Sequence, residues 1–290
     1  MNKNMTALIS LYARVYHSRN SNIRIYNEVY YDKLLSPDEY NQISQNMQNG
    51  INFFNPNYRG DNPLKWIVNN NLAPSVLARS AFNEKHLLNE INLGLKQYII
   101  LASGYDTSGF KVNNQLKVFE LDKKEMIEDK LNRIKNAKLN TKNISYIKTD
   151  FNKNWINELI NSNYKPSEKT FCSMLGISYY LDKKVFKKTI KELSGIIPKG
   201  SSILFDYPNT NESKTEKINQ QLAKGANEEM KSTYSYKDIE SIAEESNLLI
   251  YAHLNHMDIN NNYFYDYNTI NPTEKIIAPI GISYVILVKK

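Results

Sequence analysis

A single cysteine in 290 residues excludes an intramolecular disulfide and a thiolate metal cluster. Cys172 lies in the apolar run Thr170-Phe-Cys-Ser-Met-Leu175, where a small buried hydrophobe is expected and no metal site is read. No stretch approaches the roughly 18 apolar residues that cross a bilayer, and Met1-Asn-Lys-Asn-Met-Thr-Ala-Leu-Ile-Ser10 has no long apolar segment. A soluble, cytoplasmic protein without membrane contact is therefore expected. A G-x-G-x-x-G run is missing too. Ala102-Ser-Gly-Tyr-Asp-Thr-Ser-Gly109 offers only Gly104 and Gly109, at the wrong spacing for a pyrophosphate cradle and with Asp106 between them.

The charge balance is basic, with 37 Lys+Arg against 30 Asp+Glu. The lysines are spread along helical stretches, as in Lys183-Lys184 and Lys187-Lys188, without a regular aromatic ladder. They read as a solvated helix face, and no nucleic-acid partner is expected. With 41% hydrophobic residues, the chain can bury one large core, or one core with an appendage.

Five short apolar runs read as buried strands: Tyr98–Ala102, Leu116–Leu121, Ile144–Lys148, Thr170–Leu175 and Ser202–Asp206. Helical spacing appears between them over Lys124–Ala137, Lys153–Ser162 and Lys183–Ile197, the last ending at Pro198-Lys-Gly200. This alternation predicts a mostly parallel sheet with helices on both faces. Two later strands, Leu248–Leu254 and Ile282–Val288, bring the count to seven. The first 75 residues are rich in Asn and Tyr, with helical patterns at Met5–His17 and Ser36–Asn49 and a loop at Phe54–Pro63. The expected layout is an N-terminal helical extension over 1–75 and a Rossmann-like α/β domain over 76–290. Within it, 208–235 forms an insertion, read as a loop at Asn209–Thr215 and a polar helix at Glu216–Lys231. Ligands of open α/β sheets sit beyond the carboxyl ends of the strands, so this insertion is placed to act as a lid.

At the first strand end, Tyr98-Ile-Ile-Leu-Ala-Ser-Gly104 breaks at a glycine, and the second, Val118-Phe-Glu-Leu-Asp122, ends on acids. A side chain at Gly104 would block a ligand's approach, and an acid closing the next strand can accept from both hydroxyls of a ribose. A buried diphosphate beside Asp106 would be repelled. A nucleoside carrying a cation, such as the sulfonium of S-adenosylmethionine, would not. Strand alternation sets Glu120 and Asp122 on the same side, so periodicity leaves both open for the ribose.

Several segments together resemble the leucine carboxyl methyltransferase family, including its bacterial O-methyltransferase branch associated with polyketide tailoring. They are Tyr12-Ala-Arg14, Leu77-Ala-Arg-Ser80, Ala102-Ser-Gly-Tyr-Asp-Thr-Ser108, Phe119-Glu-Leu-Asp122, Thr149-Asp-Phe-Asn152, Leu175-Gly-Ile-Ser-Tyr-Tyr-Leu181 and Leu204-Phe-Asp-Tyr207. The resemblance implies a seven-stranded methyltransferase sheet and S-adenosylmethionine as cofactor, leaving S-adenosylhomocysteine as product. By position it implies that Arg79 binds the methionine carboxylate with Arg14 assisting. Gly104 would admit the cofactor, Asp122 would hold the ribose ahead of Glu120, and Asp150 with Phe151 would bracket the adenine. Three positions depart from the family pattern: Ala102 replaces a glycine, Ser108 an arginine, and Leu175 a glutamate at a strand end that faces the cofactor.

The implied activity is O-methyl transfer to a carboxylate or hydroxyl of a small molecule, or to a protein carboxyl terminus. A carboxylate acceptor needs no base, whereas a hydroxyl does. The candidates for that base are His253, His256, Tyr179, Tyr180 and Tyr207. A nucleic-acid enzyme acting on amino nitrogen would call for an Asp/Asn-Pro-Pro-aromatic signature, which is missing. The alternative of another class is a non-catalytic protein that binds the cofactor or a partner and keeps the fold. Oligomeric state is not legible in the sequence.

Overall fold

In the central strands alternate side chains face opposite layers, and every residue of β1 (Gln97–Leu101) is buried. Tyr98 and Ile100 point into one apolar layer, shared with the N-terminal helices, while Ile99 and Leu101 point into the other. A strand buried on both faces needs helices on both sides, and the chain supplies them. The computed structural model describes residues 5–211, 214–225 and 228–290.

Along the chain the elements are α1 (Met5–Asn20), α2 (Pro37–Asn49), α3 (Ile51–Phe54), α4 (Pro63–Ile67), a π turn (Val68–Leu72), α5 (Ala73–Asn92), β1, α6 (Ser108–Lys111), β2 (Lys117–Asp122), α7 (Lys124–Asn136), β3 (Ile144–Lys148), α8 (Trp155–Ile160) and β4 (Thr170–Met174). They continue with α9 (Lys183–Ile196), β5 (Ser202–Pro208), α10 (Lys214–Gly225), α11 (Tyr236–Glu245), β6 (Leu248–Leu254), α12 (His256–Ile259), a second π turn (Asn260–Phe264), α13 (Tyr265–Ile270) and β7 (Ile282–Lys289). The sheet order is β3-β2-β1-β4-β5-β7-β6, parallel except for β7, which runs antiparallel to both its neighbours.

Local chemistry accounts for the helix boundaries. The Ser36 hydroxyl accepts from the Glu39 N–H at 3.2 Å and the Glu39 carboxylate accepts from the Ser36 N–H at 3.0 Å, a reciprocal cap that starts α2 at Pro37. In α9, Phe186, Thr189, Ile190, Leu193 and Ser194 recur at helical spacing and face the sheet.

The chain passes from α4 through the π turn into α5 without a break, so residue 75 lies inside one helical run. In the insertion, α10 spans Lys214–Gly225 instead of the expected Glu216–Lys231. The glycine is a weak helix former, and further on Lys231 N bonds to Tyr179 O (2.7 Å) and Tyr234 N to Pro208 O (2.8 Å), tying the segment to the turns after β4 and β5. Residues 1–4 of the N-terminal extension, and 212–213 and 226–227 of the insertion, lie outside the described residues.

Successive crossovers carry the chain outward from β1 to β3, then back to β4 and on to β5, so the order reverses between β1 and β4. That reversal opens a crevice at the carboxyl ends of the strands.

Candidate active site

A cavity of about 1050 Å³ fills this crevice. Its walls come from the turns after β1 to β5, with α1, α2 and the α4–α5 run on one side and the insertion on the other. Arg14, Arg79, Gly104, Asp122, Asp150, Phe151, Leu175, Tyr179 and Tyr180 all line it. Glu120, Tyr207, His253 and His256 are not among the lining residues.

At one end the backbone presets the site. Ala102 (φ +50°) and Gly104 (φ +47°) both turn left-handed after β1, a conformation that costs alanine about 1 kcal/mol and glycine little. The turn brings the Gly104 N–H 2.8 Å from Asp122 Oδ2, while Lys123 N–H donates to Oδ1 at 2.7 Å. Burial raises the Asp122 carboxyl above its usual range, and these two N–H donors oppose the shift. A methyl group at Gly104 would sit 3.3 Å from Ala7 Cβ, so α1 closes over the turn. Asp150 accepts from Asn152 N–H at 3.0 Å and Asn152 Nδ2 at 2.9 Å, forming its own turn; it does not cap α8, whose N-cap is Asn154.

Buried charges brace this end from behind. Arg14 donates to Tyr105 O at 2.8 Å and pairs with Glu28 at 2.9 Å; Glu28, fully buried, also accepts from Thr107 Oγ1 at 2.8 Å. Lys130 donates to Asp106 O at 2.7 Å and pairs with Glu120, both side chains being fully buried. The carboxylate of Glu120 thus serves Lys130 behind the turn, whereas Asp122 lines the cavity. Ser108 is buried as well, donating its N–H to Asp106 at 2.7 Å and meeting the Tyr98 hydroxyl at 3.0 Å.

The opposite end is built from side chains. Arg79, midway along α5, donates to Asp206 Oδ2 at 3.2 Å. Its guanidinium lies over Gly176 (φ +70°), where an added Cβ would come within 2.8 Å of Nη1 and 3.1 Å of both Cζ and Nη2. Burial, the largest single influence, would lower the Arg79 pKa; the Asp206 charge and hydrogen bond, together with Tyr179 and Tyr284, outweigh it and hold the value up. Tyr179 donates to Asp206 at 3.0 Å, and burial followed by the Asp206 charge raises its phenol well above the usual value. Leu175 lines the cavity and packs on the core layer of the N-terminal helices.

Tyr180 faces the cavity, its phenol pushed up to about 12 by burial first and then by Glu228. His253 and Tyr207 bond to each other at 2.7 Å, with the imidazole lowered by burial. His256 opens α12. Among the described residues no cluster of His, Cys, Asp and Glu could hold a metal ion, and no helix is long and apolar enough to cross a membrane.

Sequence reasoning assigned no role to Glu28, Lys130 or Asp206. Glu28 is an isolated acid in an irregular segment and Lys130 one lysine of a charged helix, so neither carried a signal. Asp206 did carry one, an acid at the end of an otherwise apolar strand.

A seven-stranded sheet with a lone antiparallel strand, and a cavity at its switch point walled by a glycine turn and a strand-end acid, defines an α/β protein of the Rossmann-like methyltransferase type. A family model for leucine carboxyl methyltransferases matches residues 7–194. The chain is 36% identical to YktD of Bacillus subtilis (strain 168), named as a candidate S-adenosyl-L-methionine-dependent methyltransferase, over 99% of this chain and 98% of that protein. A similarly named protein of Mycobacterium ulcerans (strain Agy99) is 26% identical over 45% of this chain and 42% of its own. The solved structure of a candidate methyltransferase from Thermobifida fusca YX shares the fold, with a TM-score of 0.52 and 14% identity over 75% of this chain and 84% of its own. The chain belongs to the leucine carboxyl methyltransferase family and uses S-adenosylmethionine as methyl donor.

Proposed function

We propose that this methyltransferase transfers the methyl group to oxygen, on a hydroxyl or carboxylate of a small molecule or on a protein carboxyl terminus. The observation that carries the reading is the continuity of the cavity. One cavity of about 1050 Å³ is lined by Asp122 and Arg79 and also by Met47, Phe54, Leu72, Leu222 and Met230, large enough for an acceptor beside the cofactor.

The residues at the two ends fit the donor molecule. The Asp122 carboxylate would accept from the ribose hydroxyls, Gly104 leaves its face of the turn without a side chain, and Asp150 with Phe151 would flank the adenine. Arg79 would take the methionine carboxylate, a match of planar fork to planar anion. Arg14 supports this site through the backbone of Tyr105. When bound, S-adenosylmethionine supplies an electrophilic methyl on a sulfonium, and transfer leaves a neutral thioether.

The protein's part is alignment and exclusion of water, with orientation worth about 7–11 kcal/mol in favourable cases. The insertion at 208–235 acts as the lid over the acceptor site, with the N-terminal extension, 1–75, as a cap beside it. The phenols of Tyr179 and Tyr180, both with raised pKa values, orient an acceptor as hydrogen-bonding groups and do not serve as bases near neutral pH.

An acceptor screen with methyl-labelled cofactor tests the assignment, followed by alkaline treatment of the product. Carboxyl esters release methanol in base and aryl or alkyl ethers keep the label. Label recovered on nitrogen, sulfur or carbon would refute transfer to oxygen.

A further inference from the structure

Asp206, in the second half of β5, is 1% exposed, and every oxygen it owns is engaged by a segment that reaches the cavity. Oδ1 accepts from Gly176 N–H at 2.6 Å. Oδ2 accepts from Arg79 Nη1 at 3.2 Å and from the Tyr179 hydroxyl at 3.0 Å. The backbone carbonyl accepts from Ser178 Oγ at 2.7 Å. One residue of β5 therefore ties together helix α5 and the whole turn after β4. Asp206 is not among the cavity-lining residues, so it acts through those it holds.

We infer that Asp206 is the positioning residue for the amino-acid end of the cofactor site: it locks the Arg79 guanidinium and the Gly176–Tyr179 turn into one unit that selects ligands bearing the methionine carboxylate. This rests on the assignment of that carboxylate to Arg79.

Two restraints fix the guanidinium plane. Asp206 holds one edge, and Gly176 lies beneath the face, where a Cβ would come within 2.8 Å of Nη1 and 3.1 Å of Cζ and Nη2, tighter than side chains ordinarily pack. Among the described residues the remaining edge keeps a marginal contact, Nη2 to Ser10 Oγ at 3.5 Å, and so has donors to offer a ligand. Leu175 beside this turn supplies no rival acceptor. Asp206 also compensates a cation that burial would otherwise penalise, so the arginine is held ready while the cavity is empty of anion.

Titration calorimetry with S-adenosylhomocysteine, which has the amino-acid end, and 5′-methylthioadenosine, which lacks it, reads the effect. Asp206→Asn, nearly the same in shape, should weaken S-adenosylhomocysteine about tenfold and leave methylthioadenosine within about twofold, a difference of roughly 1.4 kcal/mol. Tyr179→Phe removes one donor without touching the charge. It should shift the same ratio by about two- to threefold, which keeps the idea testable should Asp206→Asn fold poorly. Equal weakening of both ligands in Asp206→Asn would reduce Asp206 to a structural residue. Tighter S-adenosylhomocysteine binding would make it a competitor for Arg79, and either result overturns the proposal. Arg79→Ala separates the two ideas: if it spares S-adenosylhomocysteine, the carboxylate assignment itself fails, whatever Asp206 does.

Discussion

The two ends of the cavity solve the same problem, holding a polar ligand against an apolar core, by different means. At the Asp122 end a single carboxylate is oriented by backbone N–H groups, and the turn after β1 that presents one of them is braced by fully buried partners, Glu28, Glu120 and Lys130. At the Arg79 end the donors and acceptors are side chains contributed by α1, α5, the turn after β4, and β5. Backbone donors cannot be mutated away, and their placement follows from the ends of two adjacent strands, β1 and β2. A side-chain site depends on several elements arriving together, and its ligand preference can change one residue at a time.

Disrupting the bracing gives the largest expected effect. Lys130→Met leaves Glu120 buried without its cation and should cost about 3–5 kcal/mol of unfolding free energy in chemical denaturation. A loss below about 1 kcal/mol would mean that the turn after β1 does not depend on these charges, and the contrast would lose its basis.

Acid should loosen both ends at once, because α1 reaches each of them through Arg14 and Ser10. His17 of α1 is buried, accepts from Ile25 N–H at 3.0 Å, and has a pKa lowered to about 4 by burial first and then by Arg24. Its unfolded value is about 6.5, so the unfolded chain binds the proton first as pH falls. The stability His17 contributes is complete above about 6.5 and is lost between about 6.5 and 4, in total about 3 kcal/mol. Stability measured across that window should fall less steeply in His17→Gln than in the wild type, with His86 and His253, both also lowered by burial, sustaining a residual slope. Parallel curves would remove His17 from the account.

Asp122→Ala should weaken the cofactor by about 1.5–3 kcal/mol, roughly ten- to a hundredfold, with methylthioadenosine weakened equally, since the ribose is common to both ligands. Selective loss of one ligand would erase the division between the ends. At the other end, Leu175→Glu introduces a carboxylate beside a turn already served by Asp206. It should lower the melting temperature and weaken S-adenosylhomocysteine by about 1 kcal/mol. Tighter binding at unchanged stability would show that the end accepts a second acid. The smallest effect belongs to Ala102→Gly, which relieves a left-handed alanine and should stabilise by about 0.5–1 kcal/mol without altering affinity.

The same contrast sets how much was legible in the sequence. All seven strands lie within two residues of where the apolar runs put them; the central ones, β1 and β4, are buried on both faces and so leave a continuous hydrophobic signature. The Gly104 turn and the acid closing β2 were readable for a like reason, both being features of a single strand end. Alternation could not separate Glu120 from Asp122; what separates them is Lys130, which arrives from α7. The α4–α5 run escaped notice as one helix because its π turn at Val68–Leu72 shifts the apolar period. Glu28 and Asp206 each hold one partner from far along the chain, Thr107 at 79 positions and Arg79 at 127, a separation no local pattern encodes.

The placement of β7 carries a consequence for how the molecule comes into being. β6 pairs with β7 alone in the sheet, and β7 joins β5 across a register in which Ser202 meets Val288 and Pro208 meets Ile282. Until residues 282–289 arrive, β5 has an open edge and β6 has no partner, so the strand that carries Asp206 is the last of the cavity-forming strands to gain its second neighbour. Pairings of such long sequence separation form slowly. The order of assembly should therefore run from the nucleoside half of the sheet to the amino-acid half, and pulse-labelled hydrogen exchange during refolding would record the amides of β1 and β2 protected before those of β5 and β6.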